Sequence, residues 1–99
     1  MNFLDRVKIG DLRAISLMDQ GLSMCSVGVV LGVTFVNVRD RLARLERAYG
    51  KILYVRRNLR TSSSNKAELT RHGKIVAKHA AQVLEIMDNT NHRSDQGER

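Results

Sequence analysis

Ninety-nine residues carry 17 Lys and Arg against 10 Asp and Glu, a net charge of +7, with no Pro, no Trp, one Cys and four aromatic side chains. That length holds one small domain and excludes an enzyme with a separate cofactor domain, while 42% apolar residues argue against a disordered chain. The lone Cys excludes an intramolecular disulfide and no Cys/His cluster suggests zinc; no apolar run approaches the roughly 20 residues that span a bilayer, and MNFLDRVKIGD, with Asp5 and Asp11, does not read as a signal peptide, so a reducing cytoplasm is the simplest setting.

Asp11 can cap a first helix that runs to about Gln20, with Leu12, Ile15 and either Leu17 or Met18 at helical spacing; Gly21 stops it. Ser23 can cap a short second helix with apolar Met24, Val27, Val30 and Leu31, although propensity alone favours a strand over residues 27–33. Cys25 falls in this helix and is expected to be a small buried residue. Gly32 makes a tight turn. Thr34 begins a third helix, to about Tyr49, in which Phe35, Val38, Leu42, Leu45 and Tyr49 are spaced 3, 4, 3, 4 and define one buried stripe. At about 100° per residue the opposite face centres on Val36, Asp40, Ala43 and Arg47, flanked by Asn37 and Arg44 on one side and Arg39 on the other.

Gly50 ends this helix. Residues 52–56 alternate in β fashion, and residues 66–69 can pair with them antiparallel across the Ser-rich tip at 61–65. Thr70 caps a last helix to about Asp88, with Val76, Ala80, Val83 and Met87 spaced 4, 3, 4 and Leu84 beside them; residues 91–99 read as a flexible polar tail. The fold class is mainly α with a small β-hairpin. The order helix, helix, tight turn, helix, basic hairpin, helix is that of a winged helix-turn-helix with a C-terminal dimerisation helix. The domain occupies residues 1–70, the linker and dimerisation helix 70–90, and the tail 91–99.

The charge follows this plan. Residues 1–36 are neutral overall, residues 37–78 carry twelve basic and three acidic side chains for a net +9, and residues 79–99 carry a net −2. A positive field confined to the third helix, the hairpin and the start of the last helix points to a polyanion, and double-stranded DNA is the leading partner. A helix about 12 Å across with its side chains fits the major groove, and a cationic hairpin reaches the flanking backbone or minor groove.

Several motifs resemble the DNA-binding domain of LysR-type transcriptional regulators. The stretch from Gly21 through Ser23, Leu31, Gly32 and Val33 to Thr34 is similar to that family's helix-turn-helix. Val38, Leu42, the Leu45-Glu46 pair, Gly50, Leu53-Tyr54 and Arg56 follow its recognition helix and the start of its wing. Leu69-Thr70-Arg71-His72-Gly73 resembles the Leu-Thr-x-x-Gly that closes the wing and opens a linker helix. The resemblance covers roughly residues 9–88. The sequence departs at Val27-Gly28, where the family favours small Ala, and at Phe35 and Arg39, where it has Gln and Ser, so its base preferences do not transfer. The twelve residues between Arg56 and Leu69 make a longer wing, closer to that of ModE-type regulators. Those regulators continue into an effector-binding domain; none follows in these 99 residues, so ligand sensing is not expected here.

The site expectations follow from position. Arg39 and Arg44 lead, since Arg can bind guanine through two hydrogen bonds or clamp a phosphate; an Asp40–Arg44 surface pair is the plainer alternative for Arg44. Arg47 lies on the same outward face. Asn37 can read adenine or bind backbone in the first turn. Val36 and Ala43 allow close approach and can touch a thymine methyl. Thr34 is an N-cap whose hydroxyl can reach a phosphate, and Asp40 can accept from a cytosine amino group or orient Arg44. Phe35 belongs to the core. In the wing, Arg56, Arg57, Arg60 and Lys66 are expected on phosphates or in the minor groove. Val76, Ala80, Val83, Leu84 and Met87 are expected to pair with a second copy, an arrangement the family resemblance also implies. His72 and His79 share a face without further ligands, and no catalytic constellation, metal site or cofactor is expected.

The resulting reading is a homodimeric, sequence-specific DNA-binding transcription regulator, not an enzyme, working on the nucleoid in the cytoplasm. Two alternatives stand beside it: a module that heterodimerises with a full-length partner regulator, and a nucleoid-type binder of A·T-rich DNA.

Overall fold

The computed structural model describes residues 6–57 and 66–97, with side chains placed for 6–56 and 67–89. Its elements are α1 (Ile9–Asp19), α2 (Met24–Leu31), α3 (Phe35–Tyr49), β1 (Tyr54–Arg57), β2 (Lys66–Leu69) and α4 (Arg71–Gly97). The strands form one antiparallel hairpin in which Tyr54 faces Leu69 and Arg56 faces Ala67. The expected fold class is the one observed.

Side-chain caps set three of the helix starts. The Ser23 hydroxyl accepts from the Ser26 N–H, that of Thr34 from the Asn37 N–H, and that of Thr70 from the Gly73 N–H, each at 3.1 Å. The first helix starts differently from the sequence expectation. Lys8 is its N-cap, and Asp11 stands at the third helical position, where its carboxylate accepts the Lys8 N–H at 3.0 Å. Asp11 thus serves the helix start from inside the first turn, where a carboxylate also complements the helix dipole.

Residues 27–31 are helical despite their β-branched side chains. Burial decides this: Met24 and Val27 enter the core, and the Val33 N–H closes the turn onto the Gly28 carbonyl at 2.9 Å. A Cβ on Gly28 would come within 2.8 Å of the Val33 carbonyl oxygen, so this position needs the absence of a side chain. One expectation about α2 fails. Cys25 is exposed, not buried, because residues 24, 27, 28 and 31 face inward and residues 25, 26, 29 and 30 face out, Val30 being 60% exposed.

The core joins Ala14, Ile15 and Met18 of α1, Met24 and Val27 of α2, Val38, Leu42 and Leu45 of α3, Leu53 before the wing, and Val76, Ala77 and Ala80 of α4. Phe35 and Tyr49, at the two ends of the predicted α3 stripe, pack against it half-buried. Leu53 is the junction of the wing. Its N–H donates to the Glu46 carboxylate at 3.0 Å, its carbonyl accepts the Thr70 N–H at 2.9 Å, and Gly73 lies directly against that carbonyl, leaving no room for a Cβ. The Thr70 hydroxyl also donates to the Ile52 carbonyl at 2.7 Å. The Leu-Glu pair and the Leu-Thr-x-x-Gly motif are therefore parts of one knot that fastens both ends of the hairpin to α3 and α4.

The last helix runs to Gly97, beyond the expected end near Asp88. No Pro or Gly interrupts residues 74–96, so nothing in the backbone stops it sooner. Its 27 residues make a rod about 40 Å long. Its buried hydrophobic residues, Val76, Ala77 and Ala80, lie in the N-terminal half and α1 is its main neighbour; Leu84, Glu85, Asp88 and Asn89 still flank a groove beside α1, and the helix continues beyond it to Gly97. The 57 Å longest dimension reflects this.

Candidate nucleic-acid interface

The flanks of α3 are anchored on two sides, which leaves one face outward. On the α1 side, Arg44 forms an ion pair with Asp11: Nη2 lies 3.1 Å from Oδ1 and Nε lies 3.1 Å from Oδ2. Asp11 is only 1% exposed, so the pair sits at the edge of the core. These hydrogen bonds hold the Arg44 guanidinium above its ordinary pKa; partial burial opposes them, and the charges of Asp11 and Asp40 add to them. One turn earlier, Arg41 donates to the Gly10 carbonyl at 3.1 Å and to Asn37 Oδ1 at 2.6 Å. On the wing side, Glu46 holds Leu53. Burial, then the charge of Glu46, raises the Tyr54 phenol above its usual value, while Arg56 and Arg39 pull it back. Tyr54 therefore lies among the charged groups between wing and helix.

Between these flanks, Val36 is 52% exposed, Arg39, Asp40 and Arg47 are exposed, and Ala43 is half-buried among them. Neither Arg39 nor Arg47 makes a hydrogen bond or ion pair with the described residues. The outward face is thus the predicted one, with two changes of role. Arg44, expected to lead the contacts, is paired with Asp11 of α1. Asn37, left open between base and backbone, orients Arg41 through its side chain. Thr34 is the N-cap as expected, and its hydroxyl is exposed. Arg41 was not among the predicted site residues. Its i,i+4 spacing from Asn37 is visible in the sequence, whereas its bond to Gly10 needs the fold.

In the wing, Arg56 does not simply extend outward. Its guanidinium carbon stands 5.3 Å from the centroid of the Phe35 ring, at the first turn of α3. Strand alternation puts Tyr54 and Arg56 on the same face of the hairpin, turned towards α3. Arg57 and Lys66 pair across the hairpin at the outermost described position. Their side chains and the whole of Arg60 lie outside the described residues.

The expected dimer stripe is divided. Val76 and Ala80 are 4% and 2% exposed, buried in the protomer's own core, so they are not available to a second chain. Val83 and Met87 are 42% and 51% exposed, and Leu84 is half-buried. The period that links the four residues is real, but α1 covers its first half. His72 and His79 are both exposed. Among the described residues no group of three or more His, Cys, Asp or Glu is placed to hold a metal ion, and no helix is long and apolar enough to cross a membrane.

Neither a family model nor a curated protein matches this sequence. Solved structures do. The CbnR DNA-binding domain, solved as a DNA complex, is similar over 94% of this chain and 100% of its own, with TM-score 0.76 and 20% identity. The chain has the fold of a LysR-type DNA-binding domain. Vibrio fischeri DarR, solved with DNA and described as a member of the LysR-type family, matches 93% of this chain with TM-score 0.71 and 22% identity. Full-length OxyR from Pseudomonas aeruginosa matches 94% of it with TM-score 0.78 and 19% identity. This chain spans only 30% of each of those two longer proteins.

Proposed function

We propose that this LysR-like chain is the sequence-specific, double-stranded DNA-binding part of a transcription regulator that acts inside the cell as a homodimer. The observation that carries the reading is the outward face of α3. Arg39 and Arg47 stand exposed there, with no hydrogen bond or ion pair to the described residues, on a helix braced from both flanks, within a fold shared with domains solved on DNA. In this reading α3 lies in the major groove. Arg39 and Arg47 take guanine edges or phosphates, Val36 and Ala43 approach thymine methyls, and Asp40 accepts from a cytosine amino group. Thr34 reaches a phosphate. The wing, with Arg56, Arg57, Arg60 and Lys66, follows the flanking backbone or minor groove. Arg44 acts at one remove, as the brace that sets the helix.

The projecting half of α4 supports the dimer. Val83, Leu84, Ile86 and Met87 leave an apolar strip there, which a second α4 can cover. Beside it lies a cavity of about 350 Å³ lined by Val7, Lys8, Ile9, Leu12, Tyr49, His79, Ala80 and Val83. Two protomers related by a twofold axis would present two α3 helices to a palindromic site. Selection of bound duplexes from random DNA tests this. The expected product is a motif with dyad symmetry, bound by two chains. Enrichment of A·T-rich DNA without a motif would contradict sequence-specific reading. A monomer that pairs only with a different regulator chain would contradict the homodimer.

A further inference from the structure

At the start of α3 the wing places Arg56 over the ring of Phe35. Phe35 is the first residue of α3, half-buried against the core on one side. Arg56 is exposed, and its partner across the hairpin, Ala67, packs on the core. A Phe ring fixed by the core offers a rigid face, and a guanidinium stacked on it keeps its in-plane N–H donors directed away from the ring. The wing's cation is thereby held at the N-terminal edge of the recognition helix, beside Val36 and Arg39.

We infer that Phe35 is a positioning residue for DNA recognition: its ring stations Arg56 next to the recognition helix, so that helix and wing engage DNA as one unit. This rests on the DNA-binding reading above. Phe35 itself touches no base. Arg56 delivers its donors to a phosphate or base edge adjoining the site of Arg39, in a position set before DNA arrives, which lowers the ordering cost of binding.

A double-mutant cycle on DNA affinity tests the inference, using Phe35→Leu, Arg56→Ala and both together, on the duplex that the wild-type chain selects. Phe35→Leu keeps an apolar side chain for the core and removes the aromatic face. It should weaken binding about two- to fivefold, the worth of one cation–π contact. In the Arg56→Ala background the same change should do nothing further, and Phe35→Tyr, which keeps the ring, should bind as wild type. Additive losses, or an Arg56→Ala variant that binds as wild type, would overturn the proposal. If Phe35→Leu unfolds the domain, as circular dichroism would show, the Arg56→Ala and Phe35→Tyr measurements still decide. A wild-type chain that selects no duplex at all would instead refute the underlying DNA-binding reading.

Discussion

Arg44 shows how one residue's partner decides its role. From the sequence it is one more cation on a basic helix. In the fold its guanidinium closes onto a carboxylate that is 1% exposed and that also holds the Lys8 N–H. Removing Arg44 leaves Asp11 buried without its countercharge, a costly arrangement, although Arg44 is itself 32% exposed and solvent screens part of the loss. Arg44→Ala should therefore cost about 2 kcal/mol by urea denaturation. In an Asp11→Ala background it should cost under about 0.5 kcal/mol, because no buried carboxylate remains. Equal costs in both backgrounds would mean that the pair does not brace the helix. Arg39→Ala and Arg47→Ala remove no hydrogen bond or ion pair to the described residues and, at exposed positions, should each change stability by less than about 0.5 kcal/mol.

At the scale of elements, the wing depends on its junction more than on its two short strands. Gly73 is the sharpest case. In most helices Gly→Ala stabilises by up to about 1 kcal/mol. Here the added methyl would meet the Leu53 carbonyl, which already accepts the Thr70 N–H and cannot yield without opening the hairpin. Gly73→Ala should cost about 2 kcal/mol or more, read as a lowered melting temperature; a stabilised variant would show that the knot at Leu53 is loose. The elements were legible where periodicity and caps agree: Ser23, Thr34 and Thr70 mark their helices, and the 3, 4, 3, 4 stripe orients α3. What sequence could not supply depends on contacts between distant segments. Asp11 looks like a cap until Arg44, 33 residues away, is seen beside it. Val76 and Ala80 look like half of a dimer seam until α1 is laid over them. Arg56 looks like its neighbour Arg57 until Phe35 is found beneath it. The likeness to ModE-type regulators rests on wing length, and the tip that carries that length lies outside the described residues.

The whole molecule is a braced helix-turn-helix with a projecting rod. Two surfaces follow: the outward face of α3 and the distal apolar strip of α4. The rod makes a separable prediction. Val83→Asp with Met87→Asp should give a folded monomer by sedimentation, since both side chains are exposed on the protomer. Val76→Asp should prevent folding, since it places a carboxylate in the core. A Val76→Asp chain that folds normally and merely dissociates would return that residue to the interface. The proposed function assigns DNA reading to the face bearing Arg39 and Arg47 and bracing to Arg44. Its most direct test is the affinity of an Arg39→Ala, Arg47→Ala variant for the duplex that the wild-type chain selects, at fixed salt, with folding checked by circular dichroism. The variant should stay folded and lose sequence-specific binding, its affinity falling to that for random DNA; wild-type affinity in a folded double variant would contradict the account.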